Sequence, residues 1–357
     1  MMHIFFIQPA ATDPTAGGHR YNRELIEALQ QQGHSVTDIT LKARFVHDAR
    51  AAEEEAKQVF STLTASSGRN SRIVIDGMSL PAFHHLPPSA LRCLTPLIHH
   101  PGAAGQRGDC PGPDANVQQA EQTVLSAVSH AVVTLEQTRD RLIREYGVAD
   151  AQISVVESGF AAYAPAPGTR NRDSSSACEI LSVGTLVKRK GYDVLLKALA
   201  RLTDLSWHLT ITGNTQRDPA YVEVIREQAE QAGLSSRVTL LSCPGHETLQ
   251  TLWDAADLYA QASWWDGPLS AVLQSLRRGI PLAITASQEA AMRLPLNAGA
   301  LCAPGDHETL SKVLRRLIFD DSLRKSYATA AWNFGAGLPG WDMQAQTFIH
   351  ALPPTGF

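Results

Sequence analysis

The stretch Ser263 to Pro281, SWWDGPLSAVLQSLRRGIP, sets a carboxylate and two turn formers, Asp266, Gly267 and Pro268, ahead of an apolar-rich run from Leu269 to Leu276. Gly279 and Pro281 follow as stop signals, so the pattern reads as a loop that opens a helix. A helix start offers unused N–H groups and the positive end of its dipole to a phosphate or carboxylate. Asp266 is equally a good N-cap, so the stretch fits a ligand loop or a plain structural cap. Asp266 and Gln274 are both able to accept from sugar or ribose hydroxyls.

Three other places carry chemistry. Gly184 to Gly191, GTLVKRKG, holds Lys188, Arg189 and Lys190 between an expected strand and an expected helix. Charge and helix N–H groups together can hold a diphosphate there; a solvated basic turn is the alternative. Gly17-Gly18 closes the loop PAATDPTAGGHR, where missing side chains let backbone approach a phosphate or simply make a tight turn. The pair lacks the GxGxxG spacing of a dinucleotide site. His99-His100 ends another expected strand, and because neighbouring strand residues point to opposite faces, at most one of the two faces a ligand.

Alternating strands and helices must position these residues. His3 to Ile7 reads as a buried strand and Tyr21, Leu25, Ile26 and Leu29 as the apolar face of a helix closed by Gly33, with a strand from Ser35 to Thr40 behind it. Strands are expected at Arg72 to Asp76, Leu94 to Ile98, Ala131 to Thr134 and Ile153 to Val156, and helices over Asn116 to Val128 and Glu136 to Tyr146. The Gly/Pro-rich segment Gly102 to Pro113 suits a mobile acceptor loop.

At Gly159 the pattern breaks into a Pro-, Gly- and Ser-rich linker. It resumes with strands at Ile180 to Val183, Trp207 to Thr212, Val238 to Leu241 and Leu282 to Thr285, and helices at Tyr192 to Leu202, Tyr221 to Gln231 and Glu247 to Ala255. An amphipathic helix pair with core positions Leu310, Val313, Leu314 and Leu317 comes next, then a short helix carrying Met343, Phe348 and Leu352. The expected class is α/β: two doubly wound, Rossmann-like domains facing a cleft. The domains are 1–160 and 179–338, with a linker at 161–178 and a last helix in 339–357.

Composition narrows the function classes. A chain of 357 residues with net charge −4 lacks the basic excess of a nucleic-acid binder. No apolar run approaches the length of a membrane span, although peripheral membrane contact stays open. The N-terminus MMHIFFIQPA lacks a signal peptide's basic region and cleavage site. The five cysteines, Cys93, Cys110, Cys178, Cys243 and Cys302, form no CxxC pair. They point to reduced thiols and no zinc site, and the missing signal peptide to a cytoplasmic location.

The order VGTLVKRKGYDVLLKAL, LTITG, RVTLLS, LWDAADLYAQAS and WWDGPLSAVLQSLRRGIP resembles the C-terminal domain of the family-4 retaining glycosyltransferases of GT-B fold. The N-terminal half agrees through AGGHRYNRELIEALQQQGHSV, LIHHP and HAVVTLEQTRDRLIREYGVADAQISVVESG. The resemblance implies hexosyl transfer from a nucleotide diphosphate sugar, UDP- or GDP-linked, with retention, without a metal or other cofactor, to an acceptor on the N-terminal domain. It makes His99, Lys190 and Asp266 the catalytic residues. Gly17, Gly18, Thr185, Arg189, Lys190, Gly267, Pro268, Leu269 and Gln274 become the donor site, and His100 and Gln106 the acceptor side.

The family's Glu-x7-Glu motif falls on Asp266 and Gln274, its arginine on Thr185, and a further donor contact on Glu289. By the same resemblance the last helix crosses back to the N-terminal domain. Asp266 is one methylene shorter than the family's glutamate, Pro268 removes an N–H, and Gln274 is neutral. These departures keep a second reading open: a catalytically silent GT-B protein that partners or regulates an active transferase.

Overall fold

The computed structural model describes the chain except residues 11–16, 67, 69, 102–114, 162–176, 265–268, 287–290, 292 and 354–357. It divides into two compact units. Gly18–Gly159 and Pro339–Phe357 belong, with the first strand, to one unit, and Phe160–Leu338 to the other.

The first unit is built on a parallel sheet. Its strands are β1 (His3–Pro9), β2 (Ser35–Leu41), β3 (Ser71–Asp76), β4 (Leu94–Ile98), β5 (Ala131–Val133) and β6 (Ile153–Val155). They lie in the order β2-β1-β3-β4-β5-β6. Ile4 and Phe6 point to one face of β1 and Phe5 and Ile7 to the other, so the two faces grow separate cores.

On one face lie α1 (Gly17–Gln31), through Tyr21, Leu25 and Leu29, and the last helix (Trp341–Ala351), through Ala345 and Phe348. On the other lie α2 (Ala49–Ser66), α4 (Ala115–Ala127) and α5 (Glu136–Tyr146); a four-residue helix α3 (Pro88–Leu91) precedes β4. Gly17 and Gly18, expected in a loop, are the first residues of α1. On the last helix Met343 is exposed, and the buried stripe is Gln344, Ala345 and Phe348.

The second unit repeats the plan with β7 (Cys178–Val183), β8 (Trp207–Gly213), β9 (Val238–Ser242), β10 (Leu258–Gln261), β11 (Leu282–Thr285) and β12 (Gly299–Cys302). Their order is β12-β11-β10-β7-β8-β9, all parallel. Ile180, Leu209 and Ile211 feed one core, and Leu181, Tyr259, Leu282 and Ile284 the other.

Its helices are α6 (Tyr192–Leu199), α7 (Pro219–Gln231), α8 (His246–Ala255), α9 (Ser270–Arg277), α10 (His307–Phe319) and α11 (Asp321–Ala336), followed by the last helix as α12. The strand order reverses between β1 and β3 in the first sheet and between β7 and β10 in the second. In doubly wound sheets such reversals open a crevice at the strands' carboxyl ends. Among the described residues, α1 with Gly18 follows β1, and the turn Lys188–Lys190 follows β7.

Candidate active site

In the first unit β3 delivers Asp76 to the crevice, with its carboxylate buried. Its Oδ1 accepts from the Met78 backbone N–H at 2.8 Å and its Oδ2 from Asn22 Nδ2 at 2.7 Å. Asn22 comes from α1 and is fully buried on the face that carries Leu25, Ile26 and Leu29. Its Oδ1 meets His99 Nε2 at 3.0 Å. His99 follows β4 and its Nε2 is 3.7 Å from Asp76 Oδ2.

Two further contacts set the imidazole. Thr138 Oγ1 donates to the His99 carbonyl at 2.9 Å, and the Tyr21 ring packs edge-on at 5.1 Å. The Tyr21 hydroxyl is in turn tied to the Val156 carbonyl at 2.7 Å. Burial pushes the His99 pKa down to about 4 against the opposing pull of Asp76, with His100 and His19 adding to the fall. The ring is therefore neutral at physiological pH. Gly18 stands against it: a Cβ there would lie 2.9 Å from His99 Cδ2. The glycine is needed for this close approach, and as a first-turn residue of α1 it also has an N–H outside the helix's own ladder.

The second unit builds its crevice from backbone. Gly184 follows β7 and donates to the Thr212 carbonyl at 2.9 Å, while its own carbonyl accepts from Tyr192 Oη at 2.7 Å. Burial holds Tyr192 well above the usual phenol range, so it stays a donor. A Cβ on Gly184 would sit 3.3 Å from Lys190 Cε, so the bare glycine lets the lysine stem cross the end of β7.

Lys188–Lys190 forms one 3-10 turn ended by Gly191, whose φ of 62° is left-handed. A side chain at Gly191 would strike the Ala262 carbonyl at 2.0 Å. The Trp264 N–H donates to the Arg189 carbonyl at 2.9 Å, tying the basic turn to the segment after β10. Arg189 is half-buried and desolvation lowers its pKa, with Arg217 adding like-charge repulsion. Two cationic residues thus ride on a tightly packed backbone at the β7–β10 reversal.

The remaining expected residues divide. Thr185 and Leu269 are partly buried, and Gln274 is buried on α9. Leu269, not Asp266, is the N-cap of α9, and it makes no side-chain capping bond. His100 is exposed. Asp266, Gly267, Pro268, Gln106 and Glu289 lie outside the described residues. Among the described residues no group of three or more His, Cys, Asp or Glu could hold a metal ion, and no helix is long and apolar enough to cross a membrane.

Residues 173–334 match the family model described as Glycosyl transferases group 1. The chain is 26% identical over 274 residues to a D-inositol 3-phosphate glycosyltransferase of Corynebacterium diphtheriae, covering 70% of this chain and 63% of that one. A second relative of that name, from Rhodococcus opacus, is 30% identical over 189 residues, 47% of this chain and 42% of its own. The chain thus spans less than two thirds of the length of these relatives.

Among solved structures, the sucrose-phosphate synthase of Thermosynechococcus elongatus superposes with a TM-score of 0.78 at 20% identity, covering 98% of each chain. Anabaena HepE, solved in complex with UDP-glucose, gives 0.76 at 16% identity, covering 99% of this chain and 100% of that one. The chain has the GT-B fold, and its residues 173–334 are similar to the group 1 glycosyl transferases.

Within this GT-B chain the family match lies wholly in the half that carries Gly184, Lys190 and Gln274. The His99 cluster stands outside it. Asn22, Asp76, Tyr21 and Tyr192 did not emerge from motif reading. Asn22 did carry a signal: it occupies the start of the i, i+3, i+4, i+7 stripe completed by Leu25, Ile26 and Leu29, where a polar side chain must find partners. Asp76 closes the apolar run Ile73, Val74, Ile75 of β3 at the end that faces the crevice.

Proposed function

We propose that this protein is a retaining glycosyltransferase that moves a hexosyl group from a nucleotide diphosphate sugar to an acceptor hydroxyl. In that reaction the anomeric C–O bond to the diphosphate breaks, a new one forms to the acceptor oxygen, and the acceptor proton is released. The observation that carries the reading is the seat of Lys190, whose stem crosses the bare Gly184 at the β7–β10 reversal of the family-matched half.

Lys190 stabilises the leaving diphosphate, where a fixed charge meets charge that develops in the transition state. Arg189, Thr185 and the backbone of Gly17, Gly18, Gly267, Pro268 and Leu269 hold the rest of the donor. Gln274 accepts from ribose, Asp266 and His99 border the reacting sugar, and His100 and Gln106 face the acceptor. The UDP-glucose complex of HepE favours UDP sugars as donors. The reaction needs no metal. The free thiols Cys93, Cys178, Cys243 and Cys302 support a cytoplasmic location.

Calorimetry against UDP, GDP and ADP sugars tests the reading. The expected result is saturable binding and turnover for the native chain, with both reduced in Lys190→Ala. No binding by any of them at millimolar concentration would overturn it. The neutral, buried Gln274 favours a second reading, a GT-B partner that holds nucleotide sugar without transferring it; binding without turnover in any acceptor screen is its signature.

A further inference from the structure

We propose that Asp38, Gln8, Asn22 and Asp76 form a directional hydrogen-bond relay that holds His99 in the Nε2–H tautomer, leaving Nδ1 as a hydrogen-bond acceptor for a hydroxyl. The preference for a hydroxyl ligand rests on the glycosyltransferase reading above; the tautomer does not.

Polarity enters the relay at its two carboxylates, which when ionised only accept. At the exposed end both oxygens of Asp38 lie 2.8 and 2.9 Å from Gln8 Nε2. Turning the Gln8 amide over would set its oxygen against both, so Oε1 must point inward. It does, and accepts from Asn22 Nδ2 at 3.2 Å. The same Nδ2 donates to Asp76 Oδ2 at 2.7 Å, while Asp76 Oδ1 is engaged by the Met78 N–H. A flipped Asn22 would put oxygen against the Asp76 carboxylate and against Gln8 Oε1 at once.

Both amides are thus oriented by chemistry, although O and N of an amide are not otherwise distinguished. Asn22 Oδ1 is what remains to face His99 Nε2 at 3.0 Å, and an amide oxygen can only accept. Nε2 therefore carries the hydrogen, and the neutral ring leaves Nδ1 bare.

The groups that bear on the ring's charge are Asp76 from β3, His19 from α1 and His100 beside it, with burial outweighing them all. Tyr21 packs the ring edge and Thr138 fixes its backbone. A bare Nδ1 accepts from a hydroxyl, whereas a phosphate oxygen would meet lone pair against lone pair. At this end of the crevice the chain selects a sugar or polyol hydroxyl over a phosphate.

Nitrogen NMR of the full chain labelled with 15N-histidine tests the relay without any substrate, His99 being assigned by its loss in His99→Gln. The expected native result at neutral pH is a pyrrole-type Nε2 and a pyridine-type Nδ1. An Nδ1–H tautomer, an even mixture or an imidazolium would overturn the proposal. Asn22→Leu removes the acceptor, and the double variant Gln8→Met with Asp76→Asn removes both groups that fix the Asn22 orientation.

Each variant should shift His99 toward a tautomer mixture while the other histidine signals hold. An unchanged Nε2–H form in whichever of the two folds would overturn it as well. With a donor sugar in hand, Asn22→Leu should cost roughly tenfold or more in kcat/KM, the usual scale for a residue that orients another. A native Nε2–H spectrum from a chain that binds no nucleotide sugar would overturn the hydroxyl preference together with the transferase reading, and leave the tautomer standing.

Discussion

The two crevices are made in opposite ways. In the first unit side chains do the work: two carboxylates, two amides and an imidazole interlock, and at neutral pH the imidazole at the end of that chain is an uncharged, oriented hydrogen-bonding group. In the second unit the work falls to backbone, where Gly184, Gly191 and Gly213 bring strand ends and loops within contact and Lys190 and Arg189 supply charge. A neutral, orientation-specific surface suits hydroxyls. A cationic one on a rigid backbone suits a diphosphate, because fixed charges lose little to reorganisation when the leaving group departs. One fold used twice thus builds two crevices of unlike materials.

Breaking the charged half should have the largest effect on turnover. Lys190→Ala is expected to lower kcat by about a hundredfold or more, with a melting shift worth no more than about 0.5 kcal/mol, as for surface changes. Steady-state kinetics and thermal unfolding on the same preparation separate the two. Breaking the backbone of that half should act on stability instead. Gly191→Val sets a branched side chain at φ 62°, with a Cβ 2.0 Å from the Ala262 carbonyl, and should cost about 3 kcal/mol or more in urea unfolding.

The neutral half should respond through pH. His99 titrates near 4 in the fold, from an ordinary value of 6.5, so between these values the unfolded chain binds more protons. Stability therefore falls as pH drops through that window and levels off below about 4, by on the order of 3 kcal/mol in all. His99→Gln should remove most of that slope in urea titrations at stepped pH, and native turnover should show no limb from this histidine between about pH 6 and 8.

Gly18→Ala tests whether the glycine serves the imidazole. The ring must yield to a methyl that would lie 2.9 Å from Cδ2, so a modest loss, about 1 kcal/mol, should appear with a displaced His99 NMR signal. The smallest effect is expected at Met343, exposed on α12: Met343→Ala should stay within about 0.5 kcal/mol.

Much of this was legible in the chain. The strand at Leu94–Ile98 read directly as a short, nearly unbroken apolar run, and Trp207–Gly213 as one in which apolar and polar residues alternate. The helix Glu136–Tyr146 did so because its apolar spacing ends at Gly147, which takes the left-handed cap. Other elements escaped for equally physical reasons. α2 buries a face made largely of Ala52, Ala56 and Leu63, too small to stand out as a stripe. β10 and β12 are four residues each and carry no alternation. The capping role suggested for Asp266 went to Leu269, three positions on, because a cap is defined by where the backbone turns helical and not by which side chain would suit.

What the sequence determined by itself was the alternation of strands and helices, its interruption at the linker, the basic turn before Gly191 and the histidine after β4. Those are local facts, set by periodicity, turn residues and charge. The tertiary structure alone decided that Asn22 and Asp76, 54 positions apart, share a hydrogen bond and that His99 joins them. It alone decided that Gly184 makes room for Lys190. Such pairings depend on which strands lie side by side, and strand order is settled by packing two faces of a sheet at once, a property that no single stretch of the chain contains.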